Sequence, residues 1–466
     1  MNVVEIEGSA SFRHALALSI LTHKKVTISN IRPYDNPPGI KDYEQGLLEL
    51  LARCMEGCKY TISSTGTTVR FSPGTLSGGE VEFECPTSRG VGYYLEVLIA
   101  LAPFSKERLE LTLWGATHVP TEQGGDPSVD ALKDCGLPLL NQFGVIADLD
   151  LQIKERGTGP TARGQIFFTC PAVKQLKSVN LRDPGFIKKI RGIGYSIGLS
   201  KDMVITATRS AVDVLKTLLN DVRIDTSVRA PKRPPTVKEL ESSGYGLVLT
   251  AEYTKKTHLS AEAHFSQGMS PADLGRMAAL RLLHQIKSRP SVPDFLQWVV
   301  FLLLPLTPNR NASFVQVGEL TESSIRFLRL QHQFLGVKLG INEEVRVLEA
   351  KEGDVEKEEG MGEQMLVDGE MENESGFETD GETDSEDDMI VKVKRDQDGE
   401  EDSDNEESDE GEGSDESEEL DEEMGVLQED DNGGSDSLTQ PTTLTVKHVV
   451  VACLGMGMPN FGKQSS

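Results

Sequence analysis

Apolar and polar positions along this chain switch between two periods, and the switches mark its elements. HALALSILTH (14–23) repeats its apolar residues at helical spacing, whereas KKVTISNIR (24–32) alternates them as a strand does. DNPPGIKDYE (35–44) reads as a loop opening the helix YEQGLLELLARCM (43–55). TTVRFSP (67–73) and VEFECP (81–86) read as strands separated by the turn TLSGGE (75–80). A helix over GVGYYLEVLIALAPF (90–104) and a strand over LELTLWG (109–115) follow, and a similar order returns with PSVDALKDCGLPLLNQFGV (127–145) and QIFFTCP (165–171). The recurrence is one of element order, since no residue pattern repeats cleanly.

From about 183 the texture changes. IRGIGYSIGLS (190–200) and GYGLVLTAEYT (244–254) are strand-like and flank a helix over SAVDVLKTLLNDV (210–222), which suggests a small inserted domain. SPADLGRMAALRLLHQIKSRP (270–290) is a long helix with Ser270 as N-cap and Pro271 in its first turn. FLQWVVFLLLPL (295–306) is too short to span a bilayer, contains Pro305, and reads as a buried core helix. A strand, a helix and a strand occupy 314–341, and a strong threonine- and valine-rich strand lies over 442–455. The domain organisation expected from this is a large domain over 1–182, an inserted α/β domain over 183–268, the large domain continued over 269–345, an acidic insertion over 346–440, and a terminal strand and tail over 441–466.

Charge sharpens that division. The chain has 47 basic and 75 acidic residues, a net of −28, but 352–436 alone holds 39 acidic and 4 basic residues. The remainder carries 43 basic against 36 acidic, so the part with element patterning is mildly basic and suits an RNA partner. About 375 residues outside the acidic stretch are enough for two domains with real cores. Rich in Glu, Asp, Ser and Gly, the stretch buries too little apolar surface to offset its chain entropy, so disorder is expected. Because a strand follows it, it reads as a loop between two strands, which closure entropy tolerates. Ser385, Ser403, Ser408 and Ser414 sit in acidic surroundings that suit an acid-directed kinase.

Candidate chemistry is sparse. The six cysteines (54, 58, 85, 135, 170 and 453) are scattered, most of them in apolar runs, and no secretory signal is recognised, so reduced core thiols in a soluble intracellular protein are expected. None of the eight histidines has a partner at ligand spacing, and no nucleophile elbow or phosphate-binding loop occurs. No catalytic residue, metal site or cofactor is therefore expected, and no membrane partner. The better lead is cationic: Lys188, Lys189 and Arg191 in FIKKIRGIGYS, Arg229, Lys232 and Arg233 in RAPKRPP, and Arg13, Arg32, Lys41 and Arg89 in or beside loops. Such residues neutralise phosphates without reading sequence, though a solvated face is the commoner role for any one of them.

EGSASFRHALALSILTHKKVTISNIRP, PGIKDYE and TGTTVRFSPGTLSGG, taken in order, resemble the RNA 3′-terminal phosphate cyclase superfamily. KDYE, VGYYLEVLIALAPFSKERLELTLWG, KIRGIGYS and the ending CLGMGMPNFGK resemble its cyclase-like, Rcl-type ribosome-assembly branch. The likeness covers nearly all of 1–345 and 441–466. It implies an α+β fold, a large domain of repeated two-helix, four-strand units plus the small inserted α/β domain.

Departures from the cyclase pattern bear on function. Cyclases carry a nucleophilic histidine in an S-S-H-like segment, where this chain has Thr321-Glu322-Ser323-Ser324-Ile325; His332 falls later. Their D-Q-L-x-L-P-like segment, aligned on Pro305, puts Val300-Phe301 at the Asp-Gln pair. The opening glycines are Gly8-Ser9-Ala10-Ser11, and the R-G-x-x-P-x-G-G-G-like loop is Arg156 to Gly164, with Arg163 as a partial substitute cation. A phosphoramidate mechanism needs a nucleophilic imidazole with phosphate and metal support. The resemblance thus implies a non-catalytic factor in nucleolar pre-rRNA processing and small (40S) subunit assembly. It would bind a Bms-type GTPase and pre-rRNA in the small-subunit processome, and no small-molecule substrate. The expected recognition positions are Arg32, Arg89, Lys188, Lys189 and Arg191. The alternative is a pre-rRNA endonuclease, for which no general acid/base pair or metal-binding carboxylates can be assembled.

Overall fold

The computed structural model describes residues 3–119, 125–158, 163–229, 243–266, 268–349 and 443–456. The first unit runs β1 (Val3–Glu7), α1 (Phe12–Thr22), β2 (Lys25–Ser29), α2 (Asp42–Arg53), β3 (Met55–Glu56), β4 (Lys59–Ile62), β5 (Val69–Ser72) and β6 (Thr75–Leu76). Its sheet is ordered β1-β2-β5-β4, with β1 and β2 parallel across the α1 crossover and β4 and β5 an antiparallel hairpin.

The same wiring recurs. β7 (Gly79–Glu84), α3 (Val91–Leu101), β8 (Leu109–Gly115), α4 (Val129–Ala131), a π-helical turn (Leu132–Gly136), α5 (Leu137–Gln142), β9 (Asp150–Glu155) and β10 (Gly164–Cys170) form a sheet ordered β7-β8-β10-β9. A third unit opens with β11 (Asn180–Leu181). It is then interrupted by β12 (Ile187–Ile197), α6 (Lys201–Leu215), β13 (Val222–Arg229), β14 (Gly244–Tyr253), β15 (His258–His264) and α7 (Pro271–Lys287). It resumes with α8 (Gln297–Leu303), β16 (Ser313–Val317), α9 (Glu322–Leu335), β17 (Gly340–Glu349) and β18 (Thr443–Cys453), ordered β11-β16-β18-β17. Three units of two helical segments and four strands therefore repeat as an α+β fold, although their sequences do not repeat.

Burial explains why the helices differ in pattern. α1, α3 and α8 are the crossover helices of the three units, and every residue of α3 and α8 is buried. A helix enclosed on all sides needs no polar face, so these read as continuous apolar runs. α2 and α9 cover the outside and keep amphipathic patterns; α9 buries Ser324, Phe327, Leu330, Gln331 and Phe334 and exposes most of the rest. α1, α3, α8 and α9 share one apolar core with the inner faces of the three sheets. Of the six free thiols, five are buried and Cys58 is half-buried; burial pushes the Cys54 thiol up to about 12.

A second core lies between the sheet β13-β12-β14-β15 and helices α6 and α7. The boundary expected at 268 leaves out α7, whose Leu274, Ala278, Ala279 and Leu282 belong to this core. An amphipathic helix reads the same whichever core it closes, so its pattern could not assign it. Gly275 is what lets α7 approach α6: a Cβ there would sit 2.0 Å from the Ala207 carbonyl oxygen.

β17 and β18 pair antiparallel from Gly340↔Ala452 to Glu349↔Thr443, so 350–442 connects the two strands of the hairpin in the third unit. The serines at 385, 403, 408 and 414 lie outside the described residues. So do Lys232, Arg233, positions 159–162 of the glycine-rich loop, and 457–466. No described helix is long and apolar enough to cross a membrane.

Candidate functional site

Two of the five expected cations meet where the first turns of α1, α2 and α3 come together. Arg13 sits on the first turn of α1, Tyr43 and Glu44 on that of α2, and Tyr93 on that of α3. Arg32 lies in the loop after β2 with a positive φ of 39°, and Arg89 immediately precedes Gly90, the N-cap of α3. Gly92 allows the Pro127 carbonyl against α3, since a Cβ would lie 1.9 Å from its oxygen. That approach sets the carboxylate of Asp126 among the arginines.

The Arg89 fork donates from Nε to Asp126 Oδ2 at 2.6 Å and from Nη2 to Oδ1 at 2.5 Å. Its guanidinium carbon is 5.1 Å from the ring centre of Tyr43 and 5.0 Å from that of Tyr93. Arg13 donates from Nη1 to Glu96 Oε2 at 2.8 Å and stands 3.8 Å from Asp126. Arg32 donates to both oxygens of Glu44, at 2.8 and 2.6 Å, and to the Tyr43 hydroxyl at 3.3 Å. Tyr43 thus joins Arg32 to Arg89. Three guanidinium groups face three carboxylates, so the cluster is locally balanced.

Hydrogen bonding to Asp126 raises the Arg89 pKa, and that to Glu44 raises Arg32. Burial pushes Glu96 up, against the pull of Arg13 and a hydrogen bond from Trp298 Nε1. Beneath them His14 packs at 4.8 Å from Trp298 and 5.4 Å from Phe327. Neither of its ring nitrogens has a partner among the described residues, and burial holds its pKa well below the usual histidine range. At the rim, Tyr34 projects its ring fully into solvent from the Arg32 loop. Lys41 reaches Asp35 at 3.1 Å on the same loop.

Lys188, Lys189 and Arg191 lie apart from this cluster, on β12 of the sheet β13-β12-β14-β15. Lys189 binds Glu252 at 2.8 Å and Arg191 binds Asp221 at 2.8 Å, whereas Lys188, at 61% exposure, only grazes Glu252 at 3.9 Å. Arg163 pairs with Glu84 on the surface.

The positions that the resemblance sets against the cyclase chemistry serve structural roles here. Val300 and Phe301 are wholly buried in α8. Thr321 is the N-cap of α9: its Oγ1 accepts from Ser324 N at 3.1 Å, and Gln297 Oε1 accepts from Thr321 N and Ser324 Oγ at 3.2 and 2.7 Å. His332 is exposed in the last turn of α9 and faces the Val337 carbonyl.

A second polar cluster, with no signal in the sequence spacing, lies where the sheet β13-β12-β14-β15 meets the second unit. His118 Nε2 bonds Asp130 Oδ2 at 2.8 Å, and Arg156 forks onto the same carboxylate. Burial pushes Asp130 up, but the bonds from Arg156 and His118 outweigh it and hold it well below the usual carboxylate range. The His118 ring lies 4.0 Å from that of Tyr195, whose hydroxyl bonds His264 Nδ1 at 2.6 Å. Asp134, on the π-helical turn, accepts from Thr250 Oγ1 at 3.1 Å and is pushed up to about 6, first by burial and then by Asp130. Arg156, in the glycine-rich loop, and Tyr195, in KIRGIGYS, belonged to motifs legible in the sequence.

The family model for RNA 3′-terminal phosphate cyclase matches residues 4–341. A mouse "RNA 3′-terminal phosphate cyclase-like protein" is 40% identical over 353 residues, covering 74% of this chain and 92% of its own length. The human protein of the same name is 39% identical with the same coverage. The "rRNA processing protein rcl1" of Schizosaccharomyces pombe is 33% identical over 354 residues, covering 75% of this chain and 93% of its own.

Proposed function

This chain belongs to the RNA 3′-terminal phosphate cyclase family, and from that premise we propose that it works in rRNA processing as a cyclase-like factor that performs no cyclisation. The fission-yeast relative named for rRNA processing supports the process. The observation that carries the non-catalytic part is the fate of the cyclase positions: Val300 and Phe301 are core, and the Thr321 segment is committed to a helix cap without an imidazole. The reading extends to small-subunit assembly in the nucleolus, with a Bms-type GTPase and pre-rRNA as partners.

RNA contact is assigned to two separate places, Lys188 on β12 and the loop that carries Tyr34 and Arg32. Lys188 has the least engaged of the five candidate cations, and Tyr34 offers an unsupported ring beside the Arg32 loop, the kind of group on which an unstacked base can lie. Arg32 and Arg89, already bound to Glu44 and Asp126, would act by shaping that surface.

The test pairs two measurements on the purified full chain. Incubation with α-labelled ATP and Mg²⁺ should leave no covalent label, and an acid-labile histidine-linked adduct would overturn the non-cyclase reading. A pre-rRNA fragment should be bound with a salt-dependent affinity and returned intact. Specific cleavage of that fragment would install the nuclease in its place.

A further inference from the structure

Helix α7 presents two faces. One packs into the second core, while Met277, Leu280, Arg281 and His284 of the other line a groove of about 790 Å³. Its opposite wall is β15, the edge strand of its sheet, with Phe295 alongside.

The phase of the β14–β15 ladder follows from its flanking bonds: Phe265 N donates to Tyr245 O and Tyr253 N to Thr257 O, both at 2.9 Å. Residues 259, 261 and 263 therefore bond to β14, while Ser260, Glu262 and His264 direct their backbone N–H and C=O away from it. Arg281 Nη1 already donates to one of these outward groups, the Glu262 carbonyl, at 2.8 Å. The rest form a strand template bordering the groove.

Two buried polar atoms on the groove walls lack a hydrogen-bond partner among the described residues: Ser260 Oγ, on a residue 2% exposed, and Gln285 Oε1. Leaving such atoms unpaired costs on the order of 1–3 kcal/mol each, so they call for a ligand that brings hydrogen bonds. Gln285 Oε1 only accepts and must be met by a donor; Ser260 Oγ can do either. A peptide backbone supplies both at regular spacing. Leu280, 54% exposed, and Met277 offer it apolar surface. Arg281 has no carboxylate partner among the described residues, which leaves its charge to an acidic side chain.

We infer that this groove binds an extended segment of a partner protein, added to β15 as a fifth strand, with an apolar side chain over Leu280 and an acidic one toward Arg281. The inference does not rest on the rRNA-processing reading, and either can fail alone.

The probe is a random dodecapeptide phage library panned against the full chain, followed by synthetic versions of the enriched peptides in fluorescence polarisation. Enriched peptides should alternate apolar with acidic residues and bind the Leu280→Asp variant at least tenfold more weakly. That position is exposed, and an unchanged thermal melt would verify the variant's fold. N-methylation of one alternate set of peptide amides should abolish binding, while methylation of the other set leaves it within a few-fold. The idea is overturned by no enrichment over an unrelated protein, by affinity indifferent to Leu280→Asp, or by binding that tolerates N-methylation in both phases.

Discussion

Replacing Asp134 by Asn should change how stability depends on pH, and the size of the change follows from where Asp134 sits. Its carboxyl lies on the π-helical turn against β14, half-buried, bonded by Thr250 and repelled by Asp130. These surroundings move it from 3.8 to about 6. The folded protein then holds the proton more tightly than the unfolded chain. Asp134 favours folding at low pH, and that contribution is lost as the pH rises from about 4 through about 6. At 1.36 kcal/mol per pH unit the full penalty of the ionised, half-buried carboxylate is roughly 3 kcal/mol above pH 7, and about 0.5 kcal/mol of it is felt at pH 4. Asn keeps the acceptor for Thr250 and does not titrate. Urea unfolding of both proteins at pH 4.0 and 7.5 should show the variant gaining about 2.5 kcal/mol on the wild type between the two. Stability differences at the two pH values that agree within about 0.5 kcal/mol would mean that Asp134 is solvated, and that the sheet β13-β12-β14-β15 does not seat on the second unit as described.

Deleting 352–436 should leave a body that unfolds cooperatively, because the stretch lies between the paired strands β17 and β18 in the chain. Shortening the loop roughly tenfold should stabilise the hairpin by about 2 kcal/mol at most; loss of the cooperative transition in calorimetry would contradict the insertion reading. Arg89→Ala leaves the Asp126 carboxylate, 3% exposed, with Arg13 at 3.8 Å as its nearest cation, and should cost about 2–3 kcal/mol in chemical denaturation. Lys188→Ala should stay within about 0.5 kcal/mol of wild type while weakening RNA binding. Gly275→Ala, whose Cβ would collide with the Ala207 carbonyl, should cost about 2 kcal/mol or more and expose the second core to hydrogen exchange.

Much of the fold was legible because burial and period agree. The fully enclosed α3 and α8 announce themselves as apolar runs, and Ser270 and Pro271 open α7 in the structure as in the pattern. β13 escaped because the charged Arg223 and Asp225 interrupt its apolar positions and it lies at a sheet edge. β15 escaped because its second face is polar, turned onto the second unit through Ser260, Glu262 and His264. For α6, only the second half was singled out, since Lys201 to Arg209 mixes polar with apolar residues around a narrow buried stripe. The site was less legible, for a reason of distance. Arg89 and Asp126 are 37 residues apart, and His118 meets Tyr195 across 77, so no local spacing could pair them. Sequence could name cations; only the fold shows that Arg32 and Arg89 already hold carboxylates.

The central claim, a role in rRNA processing without cyclase chemistry, is tested most directly in cells depleted of this chain and rescued with either the wild type or a His332→Ala variant. Pulse-labelled rRNA should show small-subunit rRNA falling while its precursor accumulates and large-subunit rRNA continues. Both forms should restore it equally. Unchanged small-subunit rRNA on depletion, or rescue that requires His332, would contradict the account.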